Sequence, residues 1–217
     1  MERVCTIIDS SNFYNLVLKK LKVQDVDFDF EKFANFLAHD REIIKEGKRF
    51  YVATVRENVE SKEAMINQTK LFSSLIRWGN WKILTSKLKT RTERIRIDER
   101  VSEYKNILRL GLHEIIYTKP REKGIDVKIA VDLIMGAIDD RYDTAILVSS
   151  DTDLIPAIDL VRYRFKKKVE YIGFSFPKTN DTFNETKPVP RMIGKTDVQR
   201  VLVEPDIKPF IIEKPSC

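Results

Sequence analysis

Apolar positions in this chain come in two patterns that alternate along its length. Short, β-rich apolar runs occur at residues 4–8 (VCTII), 49–55 (RFYVATV), 81–85 (WKILT), 144–148 (TAILV) and 169–174 (VEYIGF). Runs of this length, bounded by turn-forming residues, predict buried strands. Between them, residues 13–22, 29–45, 59–78, 126–140 and 154–167 carry apolar residues at helical spacing. In 29–45 these are Phe30, Phe33, Phe36, Leu37 and Ile44, with Gly47 as the stop. In 59–78 they are Met65, Leu71, Phe72, Leu75 and Ile76, with Gly79 at the end. In 126–140, at ~100° per residue, Val127, Val131, Ile134 and Ile138 form the expected inward stripe. Pro156 suits the first turn of the helix it occupies.

Strands that alternate with helices predict a parallel sheet covered on both faces. The expected fold is therefore a three-layer α/β/α domain around a central, mainly parallel sheet of about five strands. Residues 87–110 interrupt the alternation. They are highly charged and lack a clean period, although Ile95 and Ile97 could pair with residues 114–118 in a hairpin. The expected domain spans residues 1–175, with a charged insert at about 87–120. Beyond it, five of the eight prolines fall between Pro188 and Pro215, which predicts an extended arm over 176–217 that packs on the body or on a partner.

Composition narrows the chemistry. The 217 residues suit one α/β domain with a sizeable core. The two cysteines, Cys5 and Cys217, lie at opposite ends, so a disulfide framework or a cysteine-based zinc site is not expected. No run approaches the ~18 apolar residues of a membrane span. The start lacks a basic stretch followed by an apolar one, which points to a cytoplasmic protein without a membrane partner. The two histidines, His39 and His113, sit beside no nucleophile motif, and both read as structural. Gly194-Lys195-Thr196 does not make a phosphate loop, because Val189 stands where the motif needs glycine.

Carboxylates remain, and their placement matters. In doubly wound sheets, ligands bind outside the carboxyl ends of the strands. Asp9 and Asn12 follow the first predicted strand, Asp151 and Asp153 follow the fourth, and Asp126 opens the helix that leads into it. Four gathered carboxylates repel one another unless a cation neutralises them. Mg2+ or Mn2+ suits such oxygen ligands and could support phosphodiester hydrolysis. Helix capping is the competing reading for Asp9, Asp151 and Asp153, and first-turn placement is the competing one for Asp126. The wheel sets Asp132 ~240° from Asp126, away from the expected stripe, which predicts a surface residue.

Three segments carry a family resemblance. Residues 8–14 (IDSSNFY), 123–132 (KGIDVKIAVD) and 142–154 (YDTAILVSSDTDL) resemble, in order and spacing, the signature blocks of NYN domains. These are the LabA-like branch of the PIN-like nuclease superfamily. The resemblance covers roughly residues 4–173 and implies a metal-dependent ribonuclease fold with an acidic pocket. By motif, Asp9, Asp126, Asp151 and Asp153 would bind the metal, Mg2+ or Mn2+, and Asn12 would orient a ligand or the phosphate. Ser10 and Ser150 stand where the family has glycine, and the family also has an acid at the position of Asp132.

Charge supplies the other half of the expectation. Lys plus Arg number 39 against 33 Asp plus Glu, a formal net charge of +6. Lys87, Lys89 and Arg91 follow the third predicted strand, and Lys119, Arg121 and Lys123 lead into Asp126. Lys87, Lys89, Arg91, Arg121 and Lys123 are the candidate contacts to a phosphate backbone, which provides sequence-independent affinity. The interleaved Glu93, Asp98, Glu99 and Glu103 allow a plain solvated face instead. The expected function is an RNA-cleaving enzyme, with DNA not excluded as substrate. The alternative is a non-catalytic module that docks RNA or protein. A homodimer is compatible with either.

Overall fold

The computed structural model of the chain describes residues 1–54, 62–178 and 185–212. Its strands are β1 (Arg3–Asp9), β2 (Glu42–Thr54), β3 (Lys82–Arg96), β4 (Glu114–Glu122), β5 (Thr144–Val148), β6 (Lys168–Ser175) and β7 (Val198–Val203). They are hydrogen-bonded in the order β4-β3-β2-β1-β5-β6-β7. Six run parallel, and β4 alone is antiparallel to its neighbour β3. The chain first builds outward from β1 to β2 and β3. It then returns to lay β5 on the other flank of β1 and continues to β6 and β7. The point of reversal lies between β1 and β5.

Helices cover both faces. After β1 come α1 (Ser10–Phe13), a π-helical turn (Tyr14–Leu18) and α2 (Lys19–Leu21), followed by α3 (Phe30–Ala38). Then come α4 (Lys62–Gly79), α5 (Tyr104–Arg109), α6 (Ile125–Ile138) and α7 (Ile155–Tyr163). The short α8 (Pro190–Ile193) and α9 (Glu204–Ile207) flank β7. Strand alternation divides the core in two. Val4 and Ile8 of β1, with Ile146 and Val148 of β5, join a phenylalanine-rich cluster against α3 and α4. Cys5, Ile7, Ala145 and Leu147 face the opposite way, against α6 and α7. Asp9 shares the parity of Cys5 and Ile7, so the strand itself aims it toward the α6 side.

Several sequence expectations shift. The helix expected over 29–45 ends at Ala38, where His39 takes φ 54, and Ile44 belongs to β2. The strand end expected at 55 and the helix start expected at 59 lie outside the described residues. β3 runs to Arg96, well past the expected 85, and pairs with β4 through Ile95 opposite Ile115. Its outer residues, Arg91 to Arg96, are mostly exposed, so the segment carries no apolar alternation to betray it.

The count of about five strands grows to seven through β4 and β7. β7 comes from the proline-rich tail, which packs on the body as a strand with short helices on either side. Phe210 from the same tail stacks on Phe28, Phe33 and Phe36, with ring centroids 6.1, 5.4 and 5.3 Å apart. Asp29 N–H donates to the Phe210 carbonyl at 2.7 Å.

The stripe of α6 is also rotated. Ile125, Ile129, Leu133 and Ala137 are buried, whereas Val127, Val131 and Ile138 are 60%, 51% and 51% exposed. A helix apolar nearly all round gives its period no phase, so the spacing alone could not choose the face.

One half-buried acid yields a test. Asp25 opens a 3-10 turn (Asp25–Asp27), and burial pushes its carboxyl up to about 6. The unfolded chain ionises at the ordinary ~3.9, so the folded state holds the proton more tightly. The resulting stability is fully present below pH ~4 and lost as pH rises through about 6. Asp25→Asn is expected to stabilise the protein by roughly 1–2 kcal/mol above pH ~7, several degrees of melting temperature, and to change little below pH ~4. Melting curves at both pH values check it. An equal gain at both would remove ionisation as the cause.

Candidate functional site

The reversal point between β1 and β5 opens a crevice at the carboxyl ends of the strands, where open α/β sheets place their ligands. A cavity of about 780 Å3 lies there. Asp9, Asn12, Asp126 and Asp151 line it, together with Arg91 and Lys123. Three of the four candidate metal ligands thus share one cavity with the candidate phosphate-orienting asparagine. Asp153 does not line it and is exposed.

Local hydrogen bonds explain how the loops hold these groups. Asp9 caps α1, its Oδ1 accepting from Asn12 N–H at 3.1 Å. Its Oδ2 accepts from the Ser149 hydroxyl at 3.1 Å. Asn12 Oδ1 in turn accepts from Ser150 N–H at 3.0 Å. Asp151 caps the next turn, accepting from Asp153 N–H at 2.9 Å. Capping and pocket lining are therefore both true of Asp9 and Asp151. The β1 and β5 loops are tied to each other through Asp9–Ser149 and Asn12–Ser150. Ser150, in the place of a family glycine, turns its hydroxyl to Tyr171 Oη at 2.8 Å, not into the cavity. Tyr171 also accepts from Val189 N–H at 3.2 Å, which joins the tail to this edge.

Asp126 arrives by another route. Gly124 precedes α6 with φ 80, a left-handed conformation that glycine adopts without strain. That turn swings the chain from β4 into α6 and sets Lys123 and Asp126 on the same cavity.

Asp132 is not the surface residue its wheel position suggests. It accepts from the Tyr51 hydroxyl and pairs with Arg49 Nη1 at 2.8 Å. The Arg49 side chain is 6% exposed and that of Asp132 is 22%. Tyr51 sits opposite Asp9 in the β1–β2 register, so this network lies next to the acidic cavity. Burial, then the bond to Asp132, pushes the Tyr51 phenol well above its ordinary range. The network fastens α6 to β2. Sequence reasoning missed Arg49, Tyr51 and Ser149. A signal existed for the first two: Arg49 and Tyr51 occupy alternate positions in an otherwise apolar strand, so they share the face opposite Phe50 and Val52.

The cations have a distinct arrangement. Among the described residues, Lys87, Arg91 and Lys123 pair with no carboxylate, because neighbouring acids are engaged elsewhere. Asp98 holds Arg100 at 2.6 Å, Glu114 meets Arg94 at 3.4 Å, and Glu93 accepts from the Tyr117 hydroxyl at 2.5 Å. Of Lys89 and Arg121 only the backbone positions are described, and they are directly opposed in the β3–β4 register.

A profile of the NYN domain matches residues 3–189. This chain belongs to the NYN domain family. NYN domains are part of the PIN-like nuclease superfamily, whose nucleases generally use divalent metals. No curated protein matches the chain. Among solved structures, it is similar to the crystal structure of a protein of unknown function, VPA0982, from Vibrio parahaemolyticus RIMD 2210633. Identity is 17%, with 94% of each chain covered and a TM-score of 0.52, a likeness of fold.

The donor chemistry of this NYN domain suits a hard cation, since carboxylate and amide oxygens face one cavity. Among the described residues, though, no three His, Cys, Asp or Glu side chains are gathered closely enough to hold an ion by themselves. Asp9 is held by Asn12 N–H and by the Ser149 hydroxyl of the β5 loop, and Asp151 by Asp153 N–H. Mg2+ commonly takes one or two carboxylates and completes its shell with water and substrate phosphate. The residues present fit that open form of site.

The Asp132 network predicts a large effect away from the cavity acids. Asp132→Ala would strand the buried Arg49 charge, and removing one partner of such a pair typically costs ~3–5 kcal/mol. Because Asp132 is partly exposed, about 2–3 kcal/mol is expected. Chemical denaturation measures it, and a loss under ~1 kcal/mol would mean that Arg49 is solvated after all.

Proposed function

We propose that this NYN domain is a Mg2+- or Mn2+-dependent ribonuclease, with DNA a further candidate substrate. The observation that carries the reading is the composition of the one cavity. Acids from β1, α6 and β5 meet unpaired cations from the β3–β4 side across a void of about 780 Å3. Such a void is complementary to a cation together with a phosphate group.

In this reading Asp9, Asp126 and Asp151 hold the ion, and Asp153, which does not line the cavity, stands outside that set. The ion, when bound, supplies the Lewis acidity that phosphodiester hydrolysis requires. The chain's own groups do the rest. Arg91 and Lys123 neutralise phosphate charge that develops during attack by water. Lys87, Lys89 and Arg121 hold the backbone on either side. Asn12 orients a ligand or the phosphate while its Oδ1 keeps the β5 loop in place through Ser150. The Ser149 hydroxyl fixes one oxygen of Asp9.

The alternative is a module that binds RNA without turnover. One observation favours it: Asp9 and Asp151 are engaged as helix caps, and the acids form no closed group of three among the described residues. A single assay separates the two. Labelled single-stranded RNA is expected to be cleaved when Mn2+ is present. Asp151→Asn should lower the rate by on the order of 10²-fold or more, the scale of a few kcal/mol of charge stabilisation. Retained binding without any cleavage would establish the alternative.

Metal linkage gives a readout that does not depend on activity. An ion that binds only the folded chain raises its melting temperature. Millimolar Mn2+ is expected to do so in the parent protein and to do so less in Asp151→Asn. An unchanged melting curve in the parent would remove the metal from this site.

A further inference from the structure

The β3–β4 ribbon carries a charge pattern that the cavity alone does not explain. Its antiparallel register sets Lys89 opposite Arg121 and Arg91 opposite Lys119. The next positions in the same register are Lys87 and Lys123. Strand alternation puts positions 87, 89, 91, 119 and 121 on one face of the ribbon, and Lys123 follows directly after β4. Lys89 with Arg121 and Arg91 with Lys119 are cross-strand pairs of cations in the ribbon, and Lys87 with Lys123, just past the end of β4, continues the series by position. Two of these residues, Arg91 and Lys123, belong to the outermost and innermost pairs, and both line the acidic cavity. The paired face therefore runs along the mouth of the cavity.

The pattern is local. Farther out on the same face the pairs become Glu93 with Tyr117 and Ile95 with Ile115. On the opposite face Thr92 meets Thr118 through their hydroxyls at 3.2 Å, and Arg94 reaches Glu114. Like charges placed directly opposite destabilise a ribbon. Two such pairs and a third that continues them by position, beside a cavity they help to line, make sense as a surface shaped for a polyanion. Successive pairs on one face are ~6.6–6.8 Å apart, twice the strand rise, close to the spacing of successive phosphates in an extended single strand.

We propose that the ribbon is a three-rung track for a single-stranded polynucleotide, each cross-strand pair of cations gripping one phosphate. The strand lies along the ribbon and passes the Asp9–Asp151 edge. This deepens the nuclease reading, on whose phosphate-filled cavity it rests, but it does not require turnover. A track of rungs differs from a diffuse basic patch in one measurable way. Two cations of the same rung serve one phosphate, whereas two cations of different rungs serve two.

Binding of a short fluorescent oligouridylate to the full chain, followed by anisotropy in EDTA over a salt series, tests this with cleavage silenced. Each phosphate contact contributes ~0.7 to the slope of log K against log salt on a single strand. The double variant Arg91→Gln with Lys119→Gln removes one rung and should lower the slope by ~0.7. The double variant Lys87→Gln with Arg91→Gln breaks the paired grip of two rungs and should lower it by ~1.4. Both should melt no lower than the parent, because they relieve cross-strand repulsion.

Equal losses of slope in the two doubles would reduce the ribbon to a diffuse patch, and no loss in either would remove it from binding. A duplex of the same length that binds as tightly as the single strand would also overturn the track. Loss of cleavage in the parent protein with the rung pattern intact would instead count against the nuclease reading alone.

Discussion

Everything at the candidate site depends on where the sheet changes direction. β1 is the central strand, with β2 on one flank and β5 on the other, and the chain leaves in opposite directions from their carboxyl ends. No helix can close over that gap without crossing the sheet, so it stays open to ligand. The loops after β1 and β5 are held together there by side-chain bonds: Ser149 to Asp9 and the Ser150 amide to Asn12. The acids thus stand on rigid strand ends, while the cations reach them from a ribbon that projects beyond the helix layers. One wall is fixed by the core.

The two faces of the sheet are built differently. The α3–α4 face is filled by interlocking aromatic rings, such as Phe28 on Phe30 and Phe30 on Phe50, each with centroids 4.9 Å apart. Edge-on contacts of this kind fix their neighbours as well as excluding water. The α6–α7 face is built of aliphatic side chains with Tyr51, Tyr142 and Tyr171 among them, and has a polar seam at its margin, Arg49–Asp132–Tyr51, next to the cavity. Replacing such a buried pair by apolar residues is often neutral for stability, so its presence here suits position more than strength. It sets the rotation of α6 about its own axis, and with it the direction in which Asp126 points.

Much of this was legible in the sequence, and the gaps have physical causes. The parallel strands 144–148 and 169–174 announced themselves because both faces are buried and the runs are continuous. Asp9, Asp126 and Asp151 followed from the rule that ligands gather beyond strand ends. The face of α6 did not follow, since Val127 and Val131 are as apolar as Ile125 and Ile129. Asp132 was misplaced for the same reason, its partner Arg49 lying 83 positions earlier in the sequence. β3 beyond Thr85 was hidden because an unburied ribbon needs no apolar alternation. β7 was hidden by prolines, which lie in the turns and short helices around it but not in the strand.

The tail carries a consequence for how this domain holds its shape. The family match ends at Val189, yet β7 and Phe210 lie beyond it. A chain cut at that boundary would leave the backbone of β6 without its partner over Glu170–Ser175 and would uncover Phe28 and Phe33. An open parallel edge beside exposed aromatic rings is a template for pairing with other copies. The Arg200 guanidinium, which reaches back from β7 to the buried Glu170 at 2.5 Å, would leave with the segment. Glu170 would keep Arg41 alone as its counter-charge. The residues past the recognisable domain thus act as its closing edge, the part that makes an open sheet end.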